Sequence, residues 1–280
     1  MGGPKLYRLD QDRAHRTTVE NMIEVKTGSC TVVIVAAGSG QRLGYGVPKA
    51  RVPVAGQPML LHAIRGVVKA GVAAQICVAI PPEDTELVTI CETAAELAQA
   101  QGILFTVVEG GAERSDSVAA ALASLAEGVT TVMIHDAARP LTPSGVFSRV
   151  AAALRDGAKA VIPALAVVDT IKTVEPGTLP ATGAGVEKVV GTPARSVLRA
   201  VQTPQGFDIA TLRQAHAHAL TLSDDELAAI TDDAMLVEAL GEDVFVVQGS
   251  THSLKITSPT DLLLAEALLE GPLRPRWIEG

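Results

Sequence analysis

Aromatic side chains make up only 2% of this 280-residue chain, although apolar residues reach 48%. A core with so few rings has to be built from Ala, Val, Leu and Ile. β-Branched strands alternating with Ala/Leu helices supply that composition; a Tyr-rich all-β sandwich does not. Cysteine is scarce as well. Cys30, Cys77 and Cys91 are scattered and form no CxxC pair, so neither a zinc site nor a disulfide framework is indicated, and a reducing cytoplasm fits. Positive charge is in deficit. A net charge of −8 argues against a nucleic-acid partner, which would need a basic face. A small anionic substrate needs only a few local Arg and Lys residues. No uncharged apolar run reaches the roughly 18 residues of a membrane span, so no membrane partner is expected. Residues 1–28 lack the apolar core and small-residue cleavage site of a secretory signal, and read as a flexible polar extension.

What is present is a regular alternation. Thr31–Val35 is a β-branched run suited to a strand buried on both faces of a parallel sheet. Helical spacing follows at Met59–Ala70, with Gly71 placed to cap it. Strands are predicted at Gln75–Ile80, Leu104–Val108, Thr131–Ile134, Ala160–Pro163 and Val244–Val247. Helices are predicted at Glu83–Gln101, Asp116–Leu125, Ser144–Arg155, Asp208–Leu220, Asp232–Leu240 and Pro259–Leu269. Such alternation indicates βαβ units, an α/β fold with a mostly parallel sheet and helices on both faces. The segment at about 168–199 breaks the pattern. Its short alternating pieces between Gly, Pro and Thr turns read as a protruding β-arm too small to own a core, and a second subunit is the simplest cover for its apolar side. A single domain is expected over 29–272, with a tail at 273–280.

Three stretches carry chemistry. Ala36-Ala37-Gly38-Ser39-Gly40 follows the first strand, and small residues let backbone N–H groups approach phosphate oxygens. The GKS or GKT of a Walker loop is missing, and GxGxxG fails at Leu43. Arg42 and Lys49 follow instead. Two cations beside a phosphate cradle suit a reaction that builds negative charge on a phosphoryl group and its leaving pyrophosphate; the plainer alternative is a tight turn with two surface cations. In Ile134-His135-Asp136-Ala137-Ala138-Arg139-Pro140, Asp136 lies just past the carboxyl end of a strand, where open α/β sheets place ligands. It would suit Mg²⁺ on a triphosphate, or equally cap the next turn. In Gly110-Gly111-Ala112-Glu113-Arg114-Ser115-Asp116-Ser117, the amides of Gly111 and Ala112 and the Ser117 hydroxyl are placed to read a base or sugar, while Ser115 fits a helix cap.

The ordered set AAGSGQR…PK, GGAERSDSV, IHDAARP, VDTIK, VQTPQGF, TDDA and LKIT resembles the 2-C-methyl-D-erythritol 4-phosphate cytidylyltransferase family from Thr31 to Leu269. The resemblance implies a doubly wound, Rossmann-like sheet, a homodimer joined through the arm, and transfer of CMP from CTP to 2-C-methyl-D-erythritol 4-phosphate, releasing pyrophosphate, with Mg²⁺. It implies that Ala36, Ala37, Gly38 and Gly40 hold CTP and that Arg42 and Lys49 stabilise the transition state. Gly111, Ala112 and Ser117 would read the base, and Asp136 would bind Mg²⁺. Arg139, Thr170, Arg195, Thr203 and Lys255 would grip the acceptor, Thr170 and Arg195 from the neighbouring subunit. Ala194 departs from the family's frequent Asp before the arm arginine. A ribitol 5-phosphate cytidylyltransferase shares most of these motifs, and a nucleotide-binding regulator without activity is the reading from a different class. In-line attack by an acceptor phosphate needs no general base, because the nucleophile is already an anion.

Overall fold

The computed structural model describes Leu6–Tyr7 and residues 29–38, 43–179 and 183–271. β1 (Leu6–Tyr7) is followed by β2 (Ser29–Val35), the short pair β3 (Pro53–Val54) and β4 (Gln57–Pro58), α1 (Met59–Ala70) and β5 (Gln75–Ile80). Next come α2 (Thr85–Gln99), β6 (Leu104–Glu109), α3 (Arg114–Ala123), β7 (Val129–Asp136), α4 (Ser144–Arg155) and β8 (Ala160–Ala166). The arm is β9 (Thr173–Leu179) and β10 (Gly183–Gly191), followed by β11 (Arg199–Val201) and β12 (Gln205–Asp208). The chain ends with α5 (Ile209–Ala219), α6 (Asp224–Ala229), α7 (Asp233–Ala239), β13 (Val244–Gln248) and α8 (Pro259–Glu270).

The main sheet runs β1-β6-β5-β2-β7-β12-β8-β11, with β13 pairing β8. β6, β5, β2 and β7 are mutually parallel, as is the β13–β8 pair. The alternation of side chains along a strand sorts the core. Val32 and Ile34 of β2 face α1, α2 and α4, where Ile64, Leu87, Cys91, Phe147 and Val150 pack. Val33 points the other way, to Val118 of α3, Leu212 of α5 and Val237 of α7. Each such buried aliphatic side chain contributes about 1.5–3 kcal/mol. This is the doubly wound α/β arrangement expected from the sequence.

A third cluster positions the site. Val52 and Val54, beside the turn that carries Lys49, pack with Leu141, Ile256 and the Leu262–Ala265–Leu269 stripe of α8. The chain on either side of the cavity is thereby fastened to one apolar patch.

Several expected boundaries move for identifiable reasons. The helix predicted from Glu83 begins at Thr85, because Glu83 has φ 60° and Asp84 is the N-cap, accepting from Leu87 N. The helix predicted at Asp116–Leu125 runs Arg114–Ala123, so Ser115 lies inside its first turn and is not the cap. Glu113 is the N-cap, and the Asp116 carboxylate accepts from its backbone N–H at 3.1 Å. The strand predicted to stop at Pro163 continues to Ala166, since the Pro163 carbonyl still accepts from Gln202 N at 2.8 Å. β12 was not expected. It wedges between β7 and β8, antiparallel to both, in a place where Gly206 has no room for a Cβ beside Val150 and Leu154. Within the expected N-terminal extension, Leu6 and Tyr7 pair antiparallel with Val108 and Val107 at the sheet edge; the rest lies outside the described residues.

Candidate active site

The carboxyl ends of β2 and β7 open onto a cavity of about 530 Å³. Such a cleft above a parallel sheet is the usual ligand position in open α/β folds. Ala36, Ala37 and Gly38 enter from β2, Lys49 from the turn after the loop, and Gly111 and Ala112 from the β6–α3 connection. Ser117 comes from α3, Asp136 from the end of β7, and Lys255 from the loop before α8. The backbone fixes this convergence. Ala36 N donates to Ala79 O at 2.8 Å, and Lys49 N donates to Gly38 O at 3.2 Å, tying the lysine turn to the small-residue loop. Arg51 Nε donates to both carboxylate oxygens of buried Asp84, at 3.0 and 3.1 Å, and bolts that same turn to the start of α2.

The paired glycines are demanded by space. A Cβ on Gly111 would lie 2.2 Å from Asp116 Cβ, and one on Gly110 would lie 2.9 Å from Ala37 Cβ. The Ser117 hydroxyl accepts from Gly111 N and donates to Glu113 O, both at 3.2 Å. Ser117 thus braces the loop, and the Gly111 amide expected to read a base is engaged in that brace; Gly111 and Ala112 are both exposed.

Asp136 is the electrostatic centre. Lys255 Nζ donates to its Oδ2 at 2.8 Å, Arg114 Nε lies 3.6 Å from Oδ1, and Arg139 Nε lies 4.0 Å from Oδ2. Burial alone would push this carboxyl up, but Arg114, the hydrogen-bonded Lys255 and Arg139 together hold it well below the usual carboxylate range. Its neighbour His135 is a structural residue. Burial holds its pKa down at about 4, its ring meets Phe147 edge-on at 5.1 Å, and its Nδ1 lies 3.0 Å from Thr203 Oγ1. The thiols offer no nucleophile at neutral pH: burial pushes Cys77 up, Cys30 up to about 11 and Cys91 up to about 12.

A family model of 2-C-methyl-D-erythritol 4-phosphate cytidylyltransferase matches residues 30–271. The chain belongs to that family. The enzyme of this name from Streptomyces avermitilis is 46% identical over 237 residues, covering 85% of this chain and 90% of its own. That of Nocardia farcinica is 46% identical over 243 residues, covering 87% and 95%. Among solved structures, the synthase from Anaerococcus prevotii superposes with TM-score 0.71 at 26% identity, covering 87% of this chain and 99% of its own. The cytidylyltransferase from Thermus thermophilus does so with TM-score 0.61 at 37% identity, covering 89% and 100%.

The site residues expected from the family motifs divide into four groups. Ala36, Ala37, Gly38, Lys49, Gly111, Ala112, Ser117, Asp136 and Lys255 meet at the cavity. Arg139 and Thr203 stand behind it. Arg139 Nη1 donates to Ser253 O at 2.6 Å, and Thr203 Oγ1 accepts from Asp136 N at 3.1 Å, so both set the Asp136 backbone and surroundings. Thr170 and Arg195 are exposed at the base of the arm, where Arg195 Nη1 donates to Val168 O at 2.6 Å. Gly40 and Arg42 lie outside the described residues. Sequence reasoning missed Arg114, which lines the cavity, and Thr257. Position three before the recognised Ser117 was the available signal for Arg114, but a lone arginine at a helix start has the look of a solvated residue.

Proposed function

We propose that this chain transfers CMP from CTP to 2-C-methyl-D-erythritol 4-phosphate, giving 4-diphosphocytidyl-2-C-methyl-D-erythritol and pyrophosphate. The observation that carries the proposal is the single cavity in which the small-residue loop, Lys49, the Gly111–Ala112 peptide, Asp136 and Lys255 converge. An acceptor phosphate oxygen forms a bond to the α-phosphorus of CTP as the bridging oxygen of pyrophosphate leaves. The attacking oxygen is already anionic, so the protein's task is positioning and charge neutralisation. Lys49, with Arg42, stabilises the charge on the transferring phosphoryl group. Ala36–Gly38 present backbone to the triphosphate, and Ala112 reads the base. Lys255 grips the acceptor phosphate.

Mg²⁺ fits the donor set. It takes oxygen ligands and needs only one or two carboxylates when phosphates and water supply the rest, and Asp136 places one carboxylate in the cavity. Asp136 would hold the ion, which when bound with CTP neutralises charge on the triphosphate. A homodimer through the arm completes the reading. β9 and β10 form their own two-stranded sheet, and a lone hairpin is marginal in water. Val168, Val174, Val189, Val190 and Val197 are exposed on or beside it, an apolar surface that a second copy would cover while delivering Thr170 and Arg195.

The relatives' names favour methylerythritol phosphate over ribitol 5-phosphate as acceptor. The test is pyrophosphate release from CTP with each of a small panel of polyol phosphates. Release is expected with the methylerythritol compound and at least about a hundredfold less with ribitol 5-phosphate, since a mismatched polar contact is heavily penalised. CTP binding without release from any acceptor would replace the enzyme with a regulator.

A further inference from the structure

Behind the cavity floor runs a line of charge in which two residues have no part in the reaction as described. Arg114 opens α3 and lines the cavity. Its Nη1 donates to Asp233 Oδ2 at 2.6 Å while its Nε faces Asp136 Oδ1 at 3.6 Å. Asp233 is the first residue of α7, within the Thr231-Asp232-Asp233-Ala234 motif, and is 1% exposed. Its other oxygen faces His216 Nε2 of α5 at 3.1 Å. Among the described residues, the remaining terminal nitrogen of Arg114, Nη2, has no hydrogen-bond partner.

A carboxylate buried this deeply is costly unless paired, and an apolar pair would join α3 to α7 at least as well. What the ionic pair adds is orientation. A guanidinium is a rigid planar fork. With one corner fixed by Asp233 and its Nε against Asp136, its third nitrogen has a set direction beside the cavity. Triphosphate oxygens are the ligands such a fork suits.

We propose that Asp233 is a positioning residue which, acting through Arg114, aims the Nη2 corner of that guanidinium at the phosphates of bound CTP. Arg114 is then a nucleotide-binding residue in its own right, and the TDDA motif is the buried brace of the nucleotide subsite. His216 holds the far side of the brace.

The inference rests on the cytidylyltransferase reading, and the experiment separates the two. Asp233→Asn, Arg114→Lys and the double variant are compared with the wild type by calorimetric CTP binding and by pyrophosphate release. A wild type that binds CTP but releases no pyrophosphate fails the enzyme reading alone, and the calorimetry still judges Asp233. Loss of a charge-assisted contact predicts a Kd and KM for CTP raised about tenfold to a hundredfold in Asp233→Asn. The acceptor KM should stay within about twofold, and the double variant should be no worse than Arg114→Lys alone, as for residues acting in series. A folded Asp233→Asn that binds CTP as the wild type does, or losses that add in the double variant, would overturn the proposal. Should Asp233→Asn fail to fold by circular dichroism, Arg114→Gln carries the test through the same CTP-against-acceptor split. Unchanged CTP affinity in that variant overturns the proposal equally.

Discussion

Lys49 is the residue on which the proposed chemistry presses hardest. It sits on a turn already fixed by the Gly38 carbonyl and the Arg51–Asp84 pair, so under the proposed mechanism its ammonium would meet the transition state without reorganisation. Lys49→Ala should lower kcat by about a hundredfold to a thousandfold, the usual cost of one preorganised charge-stabilising group, with a melting temperature close to wild type. A variant retaining most of its turnover would remove Lys49 from this role. His135 makes a contrasting prediction, about stability. Its folded pKa of about 4 lies below the ordinary 6.5, so the unfolded chain binds the proton more readily. The stabilisation is complete above pH 6.5 and is lost as pH falls toward 4, about 3 kcal/mol in all at 1.36 kcal/mol per unit. Urea unfolding at pH 7, 5 and 4 should show that slope, and His135→Gln, though less stable at pH 7, should show a shallower one. Equal slopes in both proteins would assign the acid sensitivity to other groups.

At the scale of elements, the proposed function makes the connection between β6 and α3 a determinant of nucleotide affinity. Gly111→Ala would drive a methyl group into Asp116, forcing the loop off α3. Overpacking of this kind costs about 1–3 kcal/mol, and the KM for CTP should rise with it by about tenfold or more, measured by initial rates at saturating acceptor. An unchanged KM would mean that the loop does not touch the base. This connection also shows what the sequence discloses and what it conceals. The glycine pair, the strand before it and Ser117 were legible, because small residues after a β-branched run have few other uses. That the Ser117 hydroxyl spends itself on the Gly111 amide was not legible, because it depends on an approach of α3 measured in tenths of an ångström. Helices with apolar faces of three turns or more, such as Met59–Ala70 and Ser144–Arg155, announced themselves with their ends. β12 did not. Four residues hold no period, and their placement is dictated by strands more than forty residues away. Arg114 and Asp233, 119 residues apart, were invisible as a pair for the same reason: folding brings them together, and neither is distinctive alone.

For the whole molecule, the arm and the catalytic cavity are separate features of one chain, and the proposed dimer joins them. Val174→Asp with Val190→Asp should place charge on the arm's exposed apolar surface without touching the core. Sedimentation should then report a monomer, and turnover should fall as Thr170 and Arg195 no longer reach a neighbouring site. A dimer with wild-type turnover would locate the interface elsewhere. No helix among the described residues is long and apolar enough to cross a membrane. The most direct test of the central claim is ³¹P NMR of the wild-type protein with CTP, Mg²⁺ and 2-C-methyl-D-erythritol 4-phosphate. The phosphomonoester signal of the acceptor should disappear while the paired resonances of a diphosphate diester and that of pyrophosphate grow in equal amounts. A persistent phosphomonoester signal, with CTP left intact or hydrolysed to CMP, would contradict it.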